Sequence, residues 1–197
     1  MYRKGSSGHR QAKTWLSKEE YNKLISDPYL PRQTDLMIQL LYSCAFRVSE
    51  MINIRVKDVN FESATICIRE SKTSDTPALV PVPPPVLKMT GQWITDNKLS
   101  PTKHLFYTSH SKKISRTTIH NQIKKEADRI GIKTVITTHT FRRSRATHLL
   151  DAGLPIEKVS QLLRHKHMSS TLVYLQLSIK GLQEAISKID SSEDSDY

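Results

Sequence analysis

Apolar positions recur at helical spacing along most of the chain, and β-branched residues cluster only in its middle. Over residues 36–54, only Arg47 and Glu50 of nineteen residues carry a formal charge, so we expect this stretch to be largely buried. Ser17 and Glu20 have the spacing of a capping box, which predicts a helix from about residue 18. Ser115 is predicted to cap a later helix, and Thr137 or Thr138 the one after it. Cap, proline and glycine signals together predict helices over about residues 18–26, 33–44, 84–96, 116–130, 139–153, 156–164, 171–177 and 179–189.

Two short segments are predicted to form a β-hairpin. Ala64–Glu70 and Ala78–Val82 are rich in β-branched residues and flank the polar loop 71–75, whose tip we expect in solvent. Pro81 and the prolines at 83–85 end the second strand. The pattern as a whole predicts a mainly α fold with a small antiparallel β-sheet, which places the chain in the α+β class.

The composition adds a soluble, globular and basic character to this picture. The 197 residues are 37% hydrophobic and 25% charged, enough for one ordinary domain or two small ones. The net charge is +11, and four of the acidic residues lie among the last eight, so the rest of the chain carries +15. Such a field favours polyanions, with nucleic acid first and an anionic membrane surface as the alternative.

Several protein classes are disfavoured by the same sequence. The first ten residues contain no apolar core of a signal peptide, and the longest apolar stretch, residues 36–46, is interrupted by Gln39 and Ser43. Cys44 and Cys67 form no disulfide framework or metal-ligand pattern, and we expect both to be buried. The prediction is a cytoplasmic protein with a flexible basic arm over residues 1–13 and a disordered acidic tail over residues 190–197.

Helix 139–153 carries the first candidate chemistry. His139 and Arg142 are three residues apart and fall on the same arc as Phe141 and Ala146, so we expect both to point inward. A buried guanidinium requires an anion, which is a carboxylate or a bound phosphate. The ordinary alternative is a helix whose basic face is simply solvated.

Other candidates are ambiguous when taken singly. Arg47 could pair locally with Glu50, and Lys72 on a hairpin tip would ordinarily be a solvated lysine. Tyr174 follows His165 by nine residues, but a tyrosine among apolar neighbours is usually part of a core. The occurrence of all these residues in one basic chain favours a shared function.

The order of these motifs resembles the catalytic domain of the tyrosine recombinases, the phage-integrase and Xer-like enzymes. The resemblance covers about residues 14–189 and is most specific in the second half of the chain. Its elements are Ala45-Phe46-Arg47-Val48-Ser49-Glu50, the hairpin Ser71-Lys72-Thr73, His139-Thr140-Phe141-Arg142, Ala146-Thr147-His148-Leu149-Leu150, Leu163-Arg164-His165 and Tyr174. It implies the fold of the DNA breaking-rejoining enzymes.

The resemblance also implies a role for each matched residue. Arg47 and Arg142 would bind the non-bridging oxygens of a scissile DNA phosphate, and Tyr174 would attack the phosphorus to form a 3′-phosphotyrosine. His139 would accept the proton of the tyrosine or bind the phosphate, and Lys72 would protonate the leaving 5′-oxygen. His165 would donate a further hydrogen bond to a phosphate oxygen, and Glu50 would hold Arg47 in place. No metal or other cofactor is implied.

The sequence departs from the family pattern at three positions. The family often has glycine where Ala45 and Arg164 stand, and an apolar aromatic residue where Arg145 stands on the inward arc of its helix. We interpret Arg143, Arg145, Arg164 and Lys166 as candidate DNA-binding residues. We expect the N-terminal DNA-clamping domain of most family members to be missing here, so that the sequence represents a naturally short member, a fragment or the catalytic domain alone.

The resemblance implies double-stranded DNA with specific recombination sites as the partner. Ile179, Leu182, Ile186 and Ile189 form one apolar stripe, which packs on its own core or docks on a neighbouring protomer through a helix over residues 178–189. The second reading implies a homotetramer on DNA built from protomers that are monomeric in free solution.

Two other functions compete with site-specific recombination. Residues 149–165 also have the outline of a helix-turn-helix, which would suit a non-catalytic DNA-binding module. A type IB topoisomerase would use the same arginine, lysine, histidine and tyrosine chemistry. A metal-dependent integrase is disfavoured because no acidic triad lies among the inward-facing positions.

Overall fold

The computed structural model describes residues 14–69, 77–137, 139–165 and 167–174, and the elements lie in these ranges. The chain is mainly helical, with three short strands between the third and fourth helices. The helices are α1 (Lys18–Ile25), α2 (Arg32–Ser43), α3 (Val48–Met51), α4 (Pro84–Asp96), α5 (Arg116–Arg129), α6 (Thr140–Asp151) and α7 (Ile156–Leu163). Residues 169–174 are also helical.

Helix α2 is the centre of the fold. It packs against α1, α3, α4, α5 and α6, and seven of its twelve residues are buried. The prediction that residues 36–54 are largely buried is confirmed, because all of their large apolar side chains except Ile52 are inaccessible or nearly so. Cys44 is buried as expected, whereas Cys67 is only half-buried on a strand.

The two predicted serine caps are confirmed, and the predicted starts of α4 and α7 after prolines are also correct. Ser17 and Glu20 form the predicted capping box, and the Ser115 hydroxyl accepts a hydrogen bond from the backbone N–H of Thr118. At α6, the prediction that a threonine is the N-cap is wrong. His139 occupies that position without a side-chain cap, because the Thr137 hydroxyl instead contacts the Thr140 hydroxyl at 3.1 Å.

The three strands form an antiparallel sheet in the order β1 (Val59–Asn60), β2 (Thr65–Ile68) and β3 (Ala78–Pro81). The predicted hairpin is confirmed as the β2–β3 pair, in which Ile66 lies opposite Val80 and both are buried. Strand β1 was not predicted, because two residues are too short to show an alternating pattern. The hairpin tip with Lys72 lies outside the described residues.

Several predictions cannot be compared with the structure. The basic arm 1–13, the helix 178–189 and the acidic tail 190–197 all lie outside the described residues. Within the described ranges, no helix is long and apolar enough to cross a membrane.

A polar and aromatic cluster joins α1, α2 and α6, and it explains the unexpected Arg145. The rings of Tyr21 and Tyr42 stack with centroids 3.7 Å apart, and the Tyr42 hydroxyl lies 2.8 Å from Nδ1 of His148. The Arg145 guanidinium carbon lies 5.3 Å from the centre of the Tyr42 ring, within the range of a cation–π interaction. The contacts of Arg145 are therefore internal and do not support the DNA contact predicted for it.

We expect Arg145→Ala to lower the free energy of unfolding by about 1 kcal/mol, because it removes a cation–π contact and the packing of the arginine stem. Denaturant unfolding monitored by circular dichroism measures this change. The affinity for DNA should stay within about twofold of the wild type, as it should for Lys158→Ala on the exposed surface of α7. If Arg145→Ala instead bound DNA tenfold more weakly with unchanged stability, the prediction that Arg145 contacts DNA would be correct.

Candidate active site

A second apolar cluster brings the candidate residues together. Ala45, Ala146, Val159 and Leu163 are fully buried, and Tyr174 packs against them from the side. This cluster joins the segment after α2, helix α6, helix α7 and the helical residues 169–174. The segment 45–47, the start of α6 and the end of α7 therefore meet at one place.

Arg142 lies at the centre of this meeting point. Its side chain is 4% exposed, and Nη1 donates to the carbonyl oxygen of Ala45 at 2.5 Å, while Nη2 donates to the carbonyl oxygen of Leu163. Burial, and then the charges of Arg47 and Arg164, lower the pKa of Arg142 to about 9, so the guanidinium is still protonated at neutral pH. Its described hydrogen bonds go to neutral carbonyls, which leaves its charge available to an incoming anion.

Arg47 and Glu50 form the local pair that the sequence allowed. Arg47 Nη1 donates to Glu50 Oε1 at 2.7 Å, and the backbone N–H of Arg47 donates to Oε2 at 2.7 Å. The second terminal nitrogen of Arg47 donates to the carbonyl oxygen of Arg164 at 3.2 Å. The Arg47 side chain is thus held by Glu50 and Arg164, and because it is 25% exposed it is still accessible from the surface of the site.

Glu50 is the buried counter-charge of the site. Its side chain is 4% exposed, and Oε2 also accepts a hydrogen bond from Nη2 of Arg164 at 2.6 Å. Burial alone would raise the pKa of this carboxyl group, but the charge of Arg164 and the hydrogen bonds from Arg47 hold the pKa below its ordinary value. Glu50 is therefore a carboxylate that positions the surrounding arginines.

His165 and Tyr174 lie side by side. Their ring centroids are 6.3 Å apart with an interplanar angle of 23°, and Nδ1 of His165 lies 2.8 Å from the hydroxyl of Thr171. Burial, followed by the charges of Arg142 and Arg47, lowers the pKa of His165 to about 4. The half-buried Tyr174 lies close enough to Arg142 for the two side chains to interact electrostatically.

His139 departs from the sequence prediction. It was expected to point inward with Arg142, but it is exposed at the N-cap of α6, because the helical register begins one residue later. Partial desolvation of the ring and the charges of Arg143 and Arg142 lower its pKa. His139 is thus a neutral histidine at the rim of the site.

Three of the remaining predicted residues are described by the structure, and two are not. Arg164 contributes to the site through Glu50, Arg145 is directed to Tyr42, and Arg143 is half-buried on α6. Lys72 and Lys166 lie outside the described residues. Among the residues that are described, no group of three histidine, cysteine or acidic side chains is placed to hold a metal ion.

Sequence reasoning missed two kinds of group in the site. Thr171 is fully buried and its hydroxyl holds His165, and a polar residue on the apolar side of a predicted helix was the available signal. The carbonyl oxygens of Ala45 and Leu163 hold Arg142, but the identity of a residue does not show which way its carbonyl points.

In the protein without DNA, His165 should titrate near pH 4, which ring-proton NMR can measure, with His165→Gln to assign the signal. Because this pKa lies below the value of about 6.5 for an exposed histidine, the neutral ring stabilises the fold. That stabilisation is complete above about pH 6.5 and is lost as the pH falls towards 4. A DNA phosphate should raise the pKa. Titration near pH 6.5 without DNA would contradict the buried position.

Comparison with known proteins places this arrangement in a family. Residues 14–180 match the phage integrase family. The tyrosine recombinase XerA of Pyrococcus furiosus is 32% identical over 184 residues, which cover 90% of this chain and 62% of the relative. The chain thus spans about three fifths of the length of this curated relative.

Solved structures have the same fold. A crystal structure of XerA recombinase superposes with a TM-score of 0.79 and 23% identity over 93% of this chain and 66% of that chain. A post-cleavage complex of the XerH site-specific recombinase with a palindromic difH substrate gives a TM-score of 0.75 and 21% identity over 95% of this chain and 55% of that one. The family match and the shared fold agree: the chain is similar to Xer-type tyrosine recombinases, and it belongs to the phage integrase family.

Proposed function

We propose that this domain cuts and rejoins DNA at specific sites through a covalent bond between Tyr174 and a 3′-phosphate. The observation that carries the proposal is the position of Tyr174, stacked on His165 and within electrostatic reach of the buried, charged Arg142. A phenol beside a guanidinium that has no carboxylate among its described hydrogen bonds is suited to attack a phosphodiester.

Arg142 and Arg47 supply the positive charge for the phosphate. The transition state of phosphoryl transfer between two oxygens accumulates negative charge on the non-bridging oxygens, and fixed guanidinium groups stabilise that charge. Arg142 is fixed by two carbonyl oxygens, and Arg47 is fixed by Glu50 and the carbonyl oxygen of Arg164. Both groups are in place before DNA binds, so little reorganisation is needed during the reaction.

Tyr174 forms the new bond to phosphorus, and His139 and His165 take part in proton transfer and hydrogen bonding. The phenol oxygen forms a bond to phosphorus as the bond from phosphorus to the 5′-oxygen breaks, and the phenol proton passes to the neutral His139. If Nδ1 of His165 accepts the hydroxyl proton of Thr171, its own proton is on Nε2, from which it can be donated to a phosphate oxygen. Lys72 gives a proton to the leaving 5′-oxygen.

The reverse reaction reseals the DNA. A 5′-hydroxyl attacks the phosphotyrosine, the bond to Tyr174 breaks, and the phenol recovers its proton. Because the phosphodiester is exchanged rather than hydrolysed, a second DNA end can take the place of the first. Arginine, histidine and lysine groups provide all the charge and proton transfers, so we propose that no metal or other cofactor takes part.

The alternative functions have less support. Residues 149–165 do form a helix, a turn at Gly153 and a second helix, but the same residues build the walls of the site around Arg142. Packing around the site therefore explains this helix-turn-helix arrangement, and no separate DNA-binding motif is needed to explain it. The Xer-type relatives favour recombination over the relaxation of supercoils by a type IB topoisomerase.

DNA carrying specific recombination sites is the proposed substrate, and the solved XerH complex contains such a substrate for that protein. We further propose that four protomers assemble on two sites through the segment 178–189, that the free protein is monomeric, and that it acts in the cytoplasm on nucleoid DNA. Analytical ultracentrifugation with and without paired sites tests the assembly. One protomer per site with no larger complex would contradict it.

The reaction is tested with nicked suicide substrates that trap the covalent intermediate, in buffer containing EDTA. We expect a protein–DNA adduct resistant to denaturation, and peptide mapping should place the DNA on Tyr174. A panel of duplexes with different inverted repeats supplies the candidate sites. If no duplex gives an adduct although the protein binds DNA, the chain is a binding module and the proposed reaction is wrong.

A further inference from the structure

Arg164 occupies a backbone position that is unfavourable for its side chain. It is the C-cap of α7 in the left-handed conformation, with φ of 51° and ψ of 45°. The turn after α6 has a similar conformation but uses Gly153, with φ of 82°, which has no Cβ to crowd the backbone. Ala45, Ala64 and Lys98 have the same type of conformation, so the contacts of its side chain are what distinguish Arg164.

The Arg164 side chain makes contacts throughout the candidate active site. Nη2 donates to Glu50 Oε2 at 2.6 Å and to the carbonyl oxygen of Ala45 at 3.4 Å, while Nη1 donates to the carbonyl oxygen of Leu162 at 2.9 Å. The guanidinium carbon lies 5.6 Å from the centre of the Phe46 ring. The side chain is 16% exposed, so these contacts are shielded from water.

The same residue is linked to both predicted catalytic arginines. The carbonyl oxygen of Arg164 accepts a hydrogen bond from Nη2 of Arg47. The carbonyl oxygen of Ala45, which Arg164 contacts, also accepts the 2.5 Å hydrogen bond from Arg142. Arg164 therefore fixes the carboxylate that holds Arg47 and a carbonyl that holds Arg142.

The charge balance gives these contacts a consequence. Glu50 carries one negative charge, and without Arg164 its nearest cation would be Arg47 alone. A carboxylate paired only with Arg47 would neutralise that arginine and weaken its attraction for a phosphate. With Arg164 on Oε2 and Arg47 on Oε1, the carboxylate is shared and Arg47 keeps more of its effective charge.

We propose that Arg164 is a positioning residue, which neutralises Glu50 and thereby orients Arg47 and Arg142 for the phosphate. Arg164 donates to the Glu50 carboxylate and to the carbonyl oxygens of Ala45 and Leu162, so we assign its effect to these groups and not to a contact with the phosphate. The expected effect of Arg164 on DNA cleavage rests on the proposed function. The expected effect of Arg164 on the pKa of Glu50 is independent of that function.

The test compares Arg164→Gly, Arg164→Gln and Arg164→Lys with the wild type. At saturating suicide substrate, we expect adduct formation to slow at least tenfold for the glycine and glutamine variants, and less for lysine, which keeps the charge. DNA affinity should change by less than about threefold, since one charge among many is lost. Carboxyl-carbon NMR, assigned with Glu50→Gln, should show the pKa of Glu50 rising in both neutral variants.

Lys98→Gly is the matched control for the backbone. Lys98 also has a positive φ, of 49°, and lies outside the site, so this variant relieves the same backbone strain and should cleave at the wild-type rate. Wild-type cleavage and an unchanged Glu50 titration in Arg164→Gln would overturn the proposal, even if Arg164→Gly did not fold. If the wild type forms no adduct, the reaction proposed above fails, and the Glu50 titration still decides whether Arg164 holds the carboxylate.

Discussion

Tyr174→Phe should form no covalent adduct with a nicked suicide substrate, a loss of at least about 10⁴-fold in the rate of cleavage. Removal of the nucleophile in covalent catalysis has effects of this size or larger, because the remaining groups have no bond to form. The change deletes one oxygen and retains the ring that stacks on His165 and packs against the cluster around Leu163. Folding and DNA affinity should therefore stay close to those of the wild type.

The measurement is the denaturation-resistant adduct, quantified by gel electrophoresis over a time course, with fluorescence anisotropy for DNA affinity. Tyr29→Phe is the matched control, because Tyr29 is 80% exposed and outside the site, and this variant should cleave normally. An adduct that persists in Tyr174→Phe would move the nucleophile to another residue. Loss of the adduct together with loss of DNA binding would indicate a structural role for Tyr174.

The sequence predicted several residues that the structure places near one another. Spacing alone predicted the α+β class, and the order of the motifs predicted that Arg47, Arg142, His165 and Tyr174 act together. The buried stretch 36–54 made Arg47 and Glu50 easy to identify, since they are its only formal charges. The structure then places those two residues in direct contact.

The sequence was less informative about how the side chains are held. Arg142 is fixed by backbone carbonyl oxygens, and a carbonyl direction depends on the turn and not on the side chain that the sequence names. Ala45 and Arg164 both have φ near 50°, at the two positions where the resemblance to the family led us to expect glycine. Both turns therefore have the left-handed conformation that favours glycine, although neither residue is a glycine.

Helical periodicity was misleading for His139 and incomplete for Arg145. His139 and Arg145 were both placed on the inward arc by a regular spacing of about 100° per residue. His139 is the cap before the first turn, where the helical angle does not apply, so it lies at the surface. Arg145 does face inward, but it meets the ring of Tyr42 from a distant part of the sequence, a contact that periodicity cannot show.

Arg142→Ala should reduce the rate of adduct formation by about 10²–10³-fold at saturating DNA, as expected for the loss of a fixed charge that stabilises the transition state. The affinity for DNA should fall much less, because binding is spread over many basic residues, and the slope of affinity against salt concentration should change by no more than about 1. Single-turnover cleavage and anisotropy titrations at several salt concentrations measure the two effects separately. Arg142→Lys should be impaired as well, since one ammonium group replaces a planar fork that reaches two carbonyl oxygens.

The stability of the Arg142→Ala variant must be known before its loss of cleavage can be interpreted. The alanine variant leaves the carbonyl oxygens of Ala45 and Leu163 without this donor, at a cost of about 1–3 kcal/mol each when they stay buried, so unfolding must be measured beside activity. Arg143→Ala, on the next residue of α6, loses the same charge without breaking those bonds. It should weaken DNA binding while the saturated cleavage rate remains within about threefold of the wild type. If Arg142→Ala loses binding and cleavage to the same extent, Arg142 contributes to uniform DNA binding, and the transition-state role proposed for it is wrong.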